Sequence, residues 1–164
     1  MLKTAFLIAA GLYLVISLAM YFGQRTLMYH PEPERTEPAA VGLNEVSERV
    51  LEAPDGEKVI AWYGKAKPSQ PTLLYFHGNA GSLASRSERI RKYLSRGRGM
   101  FMMTYRGYAG SSGAPSEAAN VADGKRAYDA LLKEGVSPQD IIIYGESIGS
   151  GVAVQVAAEK KAAG

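Results

Sequence analysis

Cysteine is absent from all 164 residues. Disulfides and thiolate metal sites are therefore excluded, and the redox compartment is left open. Histidine is nearly as scarce, with only His30 and His77. No cluster of His, Asp and Glu has metal-ligand spacing, so no metal is expected. The glycines do not spell G-x-G-x-x-G, and no G-x-x-x-x-G-K-[ST] loop occurs, so no cofactor is expected either. Charge of one sign is not in excess: the net value is +3. The basic residues cluster most from Arg86 to Arg98, at the spacing of one face of an amphipathic helix. That stretch reads as a solvated helix face, since a nucleic-acid site needs denser charge and aromatic stacking. No nucleic-acid partner is expected. There is no internal repeat and no low-complexity tract. No feature selects an oligomeric state.

What is present begins with an apolar run. Ala5 to Phe22 carries no charge, and only Gly11 and Ser17 interrupt it mildly. As a helix it is about 27 Å long, enough to cross a bilayer core. Tyr21, Phe22 and Tyr29 stand at its far end, where amphipathic rings favour an interface. A single-pass signal anchor over residues 1–23 is the first reading, with membrane contact through residues 5–22. A cleavable signal peptide competes, because Ser17-Leu18-Ala19 has the small residues of a cleavage site. Lys3 and the amino terminus oppose Arg25 and Arg35, so the positive-inside rule selects neither orientation.

Residues 24–44 read as an extended, solvated neck, with Pro31, Pro33 and Pro38 among Glu32, Glu34, Arg35 and Glu37. The globular domain is expected over 45–164. Val46–Leu51 and Lys58–Tyr63 are strand candidates around an Ala53-Pro54-Asp55-Gly56 turn, and a hairpin is expected because Pro-Asp-Gly sets turn geometry. Thr72–Phe76, Met100–Tyr105 and Asp140–Tyr144 are apolar runs, each expected as a buried strand. Helices are expected over 85–96, over 117–133 behind a Ser116 cap, and over 148–160. Strand alternating with helix is the rhythm of a parallel sheet with crossover helices. Met100, Met102, Met103 and Trp62 read as core filler, and Asp123 and Asp129 as a solvated helix face.

The chemistry is carried by Gly145-Glu146-Ser147-Ile148-Gly149, a G-x-S-x-G pattern between an apolar strand and a helix. A sharp strand-to-helix turn lifts the serine hydroxyl off the sheet edge, and the flanking positions must be small where backbone comes close. The free N–H groups opening the following helix face the same spot and stabilise negative charge on an attacked acyl oxygen. His77-Gly78-Asn79-Ala80-Gly81 directly follows the first apolar strand. Both loops then lie at carboxyl ends of parallel strands, where ligand sites of open α/β sheets form.

His77 to Gly81, Tyr105 to Gly113 and Gly145 to Gly151 together resemble the α/β-hydrolase-domain serine hydrolases that carry an amino-terminal membrane anchor. The resemblance runs from about Val46 to Gly164, and the apolar run agrees with it. It implies an α/β-hydrolase fold with Ser147 as nucleophile. It implies an oxyanion hole from the N–H groups of Asn79 and Ile148, and a site rim from Tyr105 to Gly113. It implies a substrate that is an acyl-containing small molecule or lipid, cleaved at an ester, thioester or amide. It implies that His77 is structural and holds its loop. The triad of this fold runs Ser, then Asp or Glu, then His. No His or Asp follows Ser147, and Glu159 is the one acid after it. The expectation is therefore a fold truncated after the nucleophile helix, inactive or nearly so, with its nucleophile strand left as an apolar edge. A non-catalytic, membrane-anchored binding module on the same scaffold is the alternative.

Overall fold

The computed structural model describes all 164 residues, in two units, Met1–His30 and Pro31–Gly164. The first is a single helix, α1 (Leu2–Met28), with mean hydropathy 2.2 over its most apolar window and no buried residue. It is long and apolar enough to cross a membrane. It outruns the expected Ala5–Phe22 at both ends, because Gln24, Arg25 and Thr26 are compatible with helix though not with a bilayer core.

The second unit is a five-stranded sheet with helices on both faces. Its strands are β1 (Val46–Glu52), β2 (Lys58–Gly64), β3 (Thr72–Phe76), β4 (Gly99–Met103) and β5 (Ile141–Gly145), in the order β1-β2-β4-β3-β5. The hairpin expected around Pro54-Asp55-Gly56 is present: β1 and β2 pair antiparallel, with Gly56 at φ 84° in the turn. β2 also pairs antiparallel with β4, while β4, β3 and β5 are parallel. Their helices are α2 (Ser87–Leu94), α3 (Glu117–Lys133) and α4 (Ile148–Ala157). Ser116 caps α3, its side chain accepting from Ala119 N–H.

Side chains alternate across the sheet. Trp62, Leu73, Tyr75, Met100 and Met102 face α2 and share a core with Ile90 and Leu83. On the α3–α4 side the helices pack tightly. A Cβ on Gly124 would meet Phe76, Val152 and Val156, each at 3.1 Å. Trp62 and the three methionines are core residues, as expected. β3 and β4 are buried throughout. β5 is not: Ile141 is buried, Ile142 and Ile143 are half-buried and Tyr144 is 40% exposed. β5 is the sheet edge, and there Ile143 N–H donates to Gly164 O and Ala163 N–H to Ile141 O, at 2.9 and 2.8 Å.

Three expectations are revised. Residues 24–44 are not one extended, solvated neck: α1 continues to Met28, and the compact unit starts at Pro31. Pro38 opens a short 3-10 turn and is buried, and Leu43 is fully buried in the core. Asp123 is not on a solvated face but has no exposed side-chain surface, and it is paired with Arg106 and Arg126. Asp129 is half-exposed and pairs with Lys160 at 2.6 Å. The basic run Arg86–Arg98 is only partly solvated. Arg86 donates to the Ala80 and Ser82 carbonyls, Arg91 to the Val41 carbonyl, and Arg89 pairs with Glu146. Periodicity finds the face of a helix, and long guanidinium arms then reach partners that only tertiary packing supplies.

Candidate active site

Register brings three loops to one edge. Phe76 pairs with both Met103 and Gly145. The segments that begin at His77, Thr104 and Glu146 therefore leave the sheet side by side at its carboxyl end.

Ser147 sits between β5 and α4 at φ 53°, ψ −122°. A non-glycine residue there stores about 1–3 kcal/mol of backbone strain and persists only when its surroundings fix it. They do. Glu146 N–H donates to Phe76 O and Gly149 N–H to Glu146 O, both at 2.9 Å. A Cβ on Gly145 would lie 2.3 Å from Gly149 O, and a Cβ on Gly149 would lie 2.2 Å from Phe76 O. The turn closes only because both flanks are glycine. Ser147 is exposed, and its hydroxyl caps nothing in the helix it precedes. Ile148 is the first residue of α4, whose opening N–H groups have no intrahelical acceptor.

The oxyanion-loop candidate lies against this elbow. A Cβ built on Gly78 would stand 3.5 Å from the Ser147 Cβ. Three successive carbonyls of the loop are pinned. Tyr105 OH donates to His77 O at 2.7 Å, the His77 ring pairs with Gly78 O at 2.6 Å, and Tyr108 OH donates to Asn79 O at 2.7 Å. Gly78 O can only accept, so His77 Nδ1 carries the proton. All peptide bonds are trans, so fixing Gly78 C=O on one side turns Asn79 N–H to the other. His77 thus holds the loop, as the resemblance implies, and makes no bond to Ser147.

Burial, and then the Arg86 charge, push the His77 imidazole down to about 3. It is neutral in the fold and protonates near 6.5 when the chain unfolds. Below pH 6.5 the unfolded chain therefore binds one more proton, so stability is full above 6.5 and falls as pH drops toward 3. Between pH 7.5 and 4.5 this single group is expected to remove about 2–3 kcal/mol. Denaturant unfolding at the two pH values checks it, and His77→Asn should flatten the dependence. Glu134 and Glu146, both held below the usual carboxylate range by partner hydrogen bonds, add losses in the same direction at lower pH.

Two further groups escaped sequence reasoning. Glu146 turns toward α2, accepting from the Tyr75 hydroxyl and from Arg89, the latter at 2.7 Å. Tyr75 stacks on Tyr144 with ring centroids 5.0 Å apart. The variable position of the pattern is thereby used to fasten the elbow to β3 and α2. Arg106, at the start of the rim loop, is held by Asp123 on α3 at 2.9 Å and by Asp55 on the hairpin turn at 2.6 Å. No spacing rule joins residues 55, 106 and 123.

Comparisons with known proteins give the family of this fold. Residues 71–162 match the family described as the alpha/beta hydrolase fold. The chain belongs to the α/β-hydrolase family. It is 34% identical over 153 residues to protein bem46 of Schizosaccharomyces pombe, an alignment covering 87% of this chain and 51% of that protein. It is 35% identical over 112 residues to the lysophosphatidylserine lipase ABHD12 of Danio rerio, covering 66% of this chain and 28% of the lipase. Among solved structures, an alpha-beta hydrolase from Vibrio vulnificus superposes with TM-score 0.65 and 28% identity, over 76% of this chain and 45% of that one. The Pyrococcus furiosus esterase Pf2001 superposes with TM-score 0.66 at 19% identity, over 82% and 52%, a likeness of fold alone. The chain spans about half the length of the curated relatives it matches.

Proposed function

We propose that this α/β-hydrolase chain carries the nucleophile and oxyanion half of a serine hydrolase that opens an ester, thioester or amide of an acyl-containing small molecule or lipid. The observation that carries this is the strained, exposed Ser147 between two obligatory glycines, with the pinned 77–81 loop beside it. Ser147 Oγ attacks the acyl carbon and gives its proton to a base, and the carbonyl electrons move onto oxygen. That oxyanion is met by the N–H groups of Asn79 and Ile148. The carbonyl re-forms as the leaving group departs with a proton. Water then attacks acyl-Ser147, releasing the acid and restoring the serine.

His77 is turned onto its own loop, and the acid and base are proposed to come from outside these 164 residues. The relatives, about twice as long, support that division. The 164 residues alone are expected to hydrolyse esters only at a residual rate. In the form that carries an acid and a histidine, a fluorophosphonate probe should label Ser147, and Ser147→Ala should reduce labelling to background. Equal labelling of both would remove Ser147 from the chemistry, and a correctly folded protein that takes no probe at all would favour the binding-module alternative.

Residues 5–22 are proposed to anchor the protein in a membrane, supported by the apolar α1, which has no buried residue. Deleting residues 1–23 should shift the protein from the membrane to the soluble fraction. A deletion variant that still pellets with membranes, without aggregating, would refute the anchor.

A further inference from the structure

The rim loop contains a local conflict. Ala109 has φ 46° and Gly110 has φ 85°, two consecutive residues in the left-handed region. Alanine is disfavoured there, and the two N–H groups need acceptors. Neither acceptor comes from the sheet or a helix. Ala109 N–H donates to Glu32 O at 2.7 Å and Gly110 N–H to Pro33 O at 2.9 Å. The segment supplying them lies in the proline-rich stretch just after the apolar helix. Arg35 tightens the contact: its side chain lies over Gly110, where a Cβ would meet it at 2.7 Å, and its guanidinium pairs with Glu48 on β1. Every residue from Glu32 to Arg35 is exposed, so within the strap itself the main-chain bonds and the Arg35 side chain make the contact.

The rest of the loop is fastened elsewhere. Ser111 Oγ and Ser112 Oγ accept from Ile60 and Lys58 N–H of β2, each at 2.8 Å, and Arg106 is held by Asp55 and Asp123. Between these anchors lies Tyr108, immediately before Ala109. Its hydroxyl holds Asn79 O, and its ring meets those of His77 and Tyr105 edge-on, at 5.5 and 5.9 Å.

We propose that Glu32–Arg35 is a positioning strap for the oxyanion hole: it holds the Ala109–Gly110 turn, which sets Tyr108, which clamps the loop carrying Asn79. Its importance for catalysis rests on the function proposed above; its effect on the 77–81 loop does not. Neither Tyr108 nor the strap touches the reacting atoms; both act through Asn79.

The test uses the full chain in detergent and measures amide hydrogen exchange of residues 77–81. Two variants are compared with the wild type. One is the fourfold substitution Glu32→Gly, Pro33→Ser, Glu34→Gly and Arg35→Ser. The other is Tyr108→Phe, which keeps the ring and removes the clamp. Each should raise exchange across 77–81 about tenfold, the fourfold variant by releasing the strap and Tyr108→Phe by releasing the Asn79 carbonyl. Exchange in α3 and β3 should stay at the wild-type level, which shows that each variant is folded. Unchanged exchange at 77–81 in either variant would overturn the strap. Where the wild type takes a fluorophosphonate label, the same variants should label more slowly. Exchange is read without chemistry at Ser147, so it decides the strap even in a chain that takes no probe.

Discussion

Gly149→Ala is expected to lower the unfolding free energy by about 3 kcal/mol or more, enough to leave little folded domain. The new Cβ would lie 2.2 Å from Phe76 O, 2.6 Å from Phe76 C and 2.7 Å from His77 O. All three are main-chain atoms, so no side chain can swing aside. Phe76 is paired on both sides, with Met103 and Gly145, and cannot retreat without breaking the parallel ladder. Relief must come from moving α4 or opening the elbow, and either displaces Ser147. Gly145→Ala meets the same wall, with Gly149 O at 2.3 Å and Ser150 Cα at 2.5 Å. Gly151, two residues further along α4, is the control. Nothing lies within 4 Å of its Cβ position. Gly151→Ala should instead stabilise by about 0.5–1 kcal/mol, through helix propensity alone. Urea unfolding of the three variants separates a steric requirement at the elbow from a general intolerance of substitution. Wild-type stability for Gly149→Ala would mean that the elbow is not closed as described.

Asp123→Ala should cost about 3–5 kcal/mol. The carboxylate has no solvent exposure and takes bonds from Arg106 and Arg126. Removing it leaves Arg106, with only 11% of its side chain exposed, facing a buried void with a charge on it. Asp55, on the exposed side of Arg106, keeps one partner in place, which points to the lower half of that range. Asp123→Asn keeps the shape and one acceptor and should cost clearly less. Asp55→Ala should cost least, since its carboxylate is solvated. Denaturant midpoints are expected to rise in the order Asp123→Ala, Asp123→Asn, Asp55→Ala. A change below about 0.5 kcal/mol for Asp123→Ala would refute a structural ion pair. The rim loop should loosen along with stability, because Arg106 is its first anchor.

The sequence by itself determined the order of elements and the identity of the elbow. Apolar runs such as Thr72–Phe76, the Ser116 cap and the 3.6-residue rhythm from Glu117 to Lys133 are local signals, and the structure has that strand and that helix with the bounds expected. Gly145 to Gly149 is legible because its demands fall on neighbouring residues: a strand, a reversal too tight for a Cβ, and a helix. Tertiary structure alone decided what the charged and hydroxyl groups do. Asp123 looked solvated because a helix pattern registers only its own faces, and Arg106, seventeen residues away, supplies the charge that lets a carboxylate be buried. The proline-rich stretch looked like a free neck because its composition is polar, yet it docks through main-chain carbonyls, which every sequence possesses and none advertises. Tyr105 and Tyr108 likewise reach carbonyls nearly thirty positions earlier. Hydrophobic spacing is read along the chain; hydrogen bonds between distant segments exist only once the sheet has brought them to a common edge.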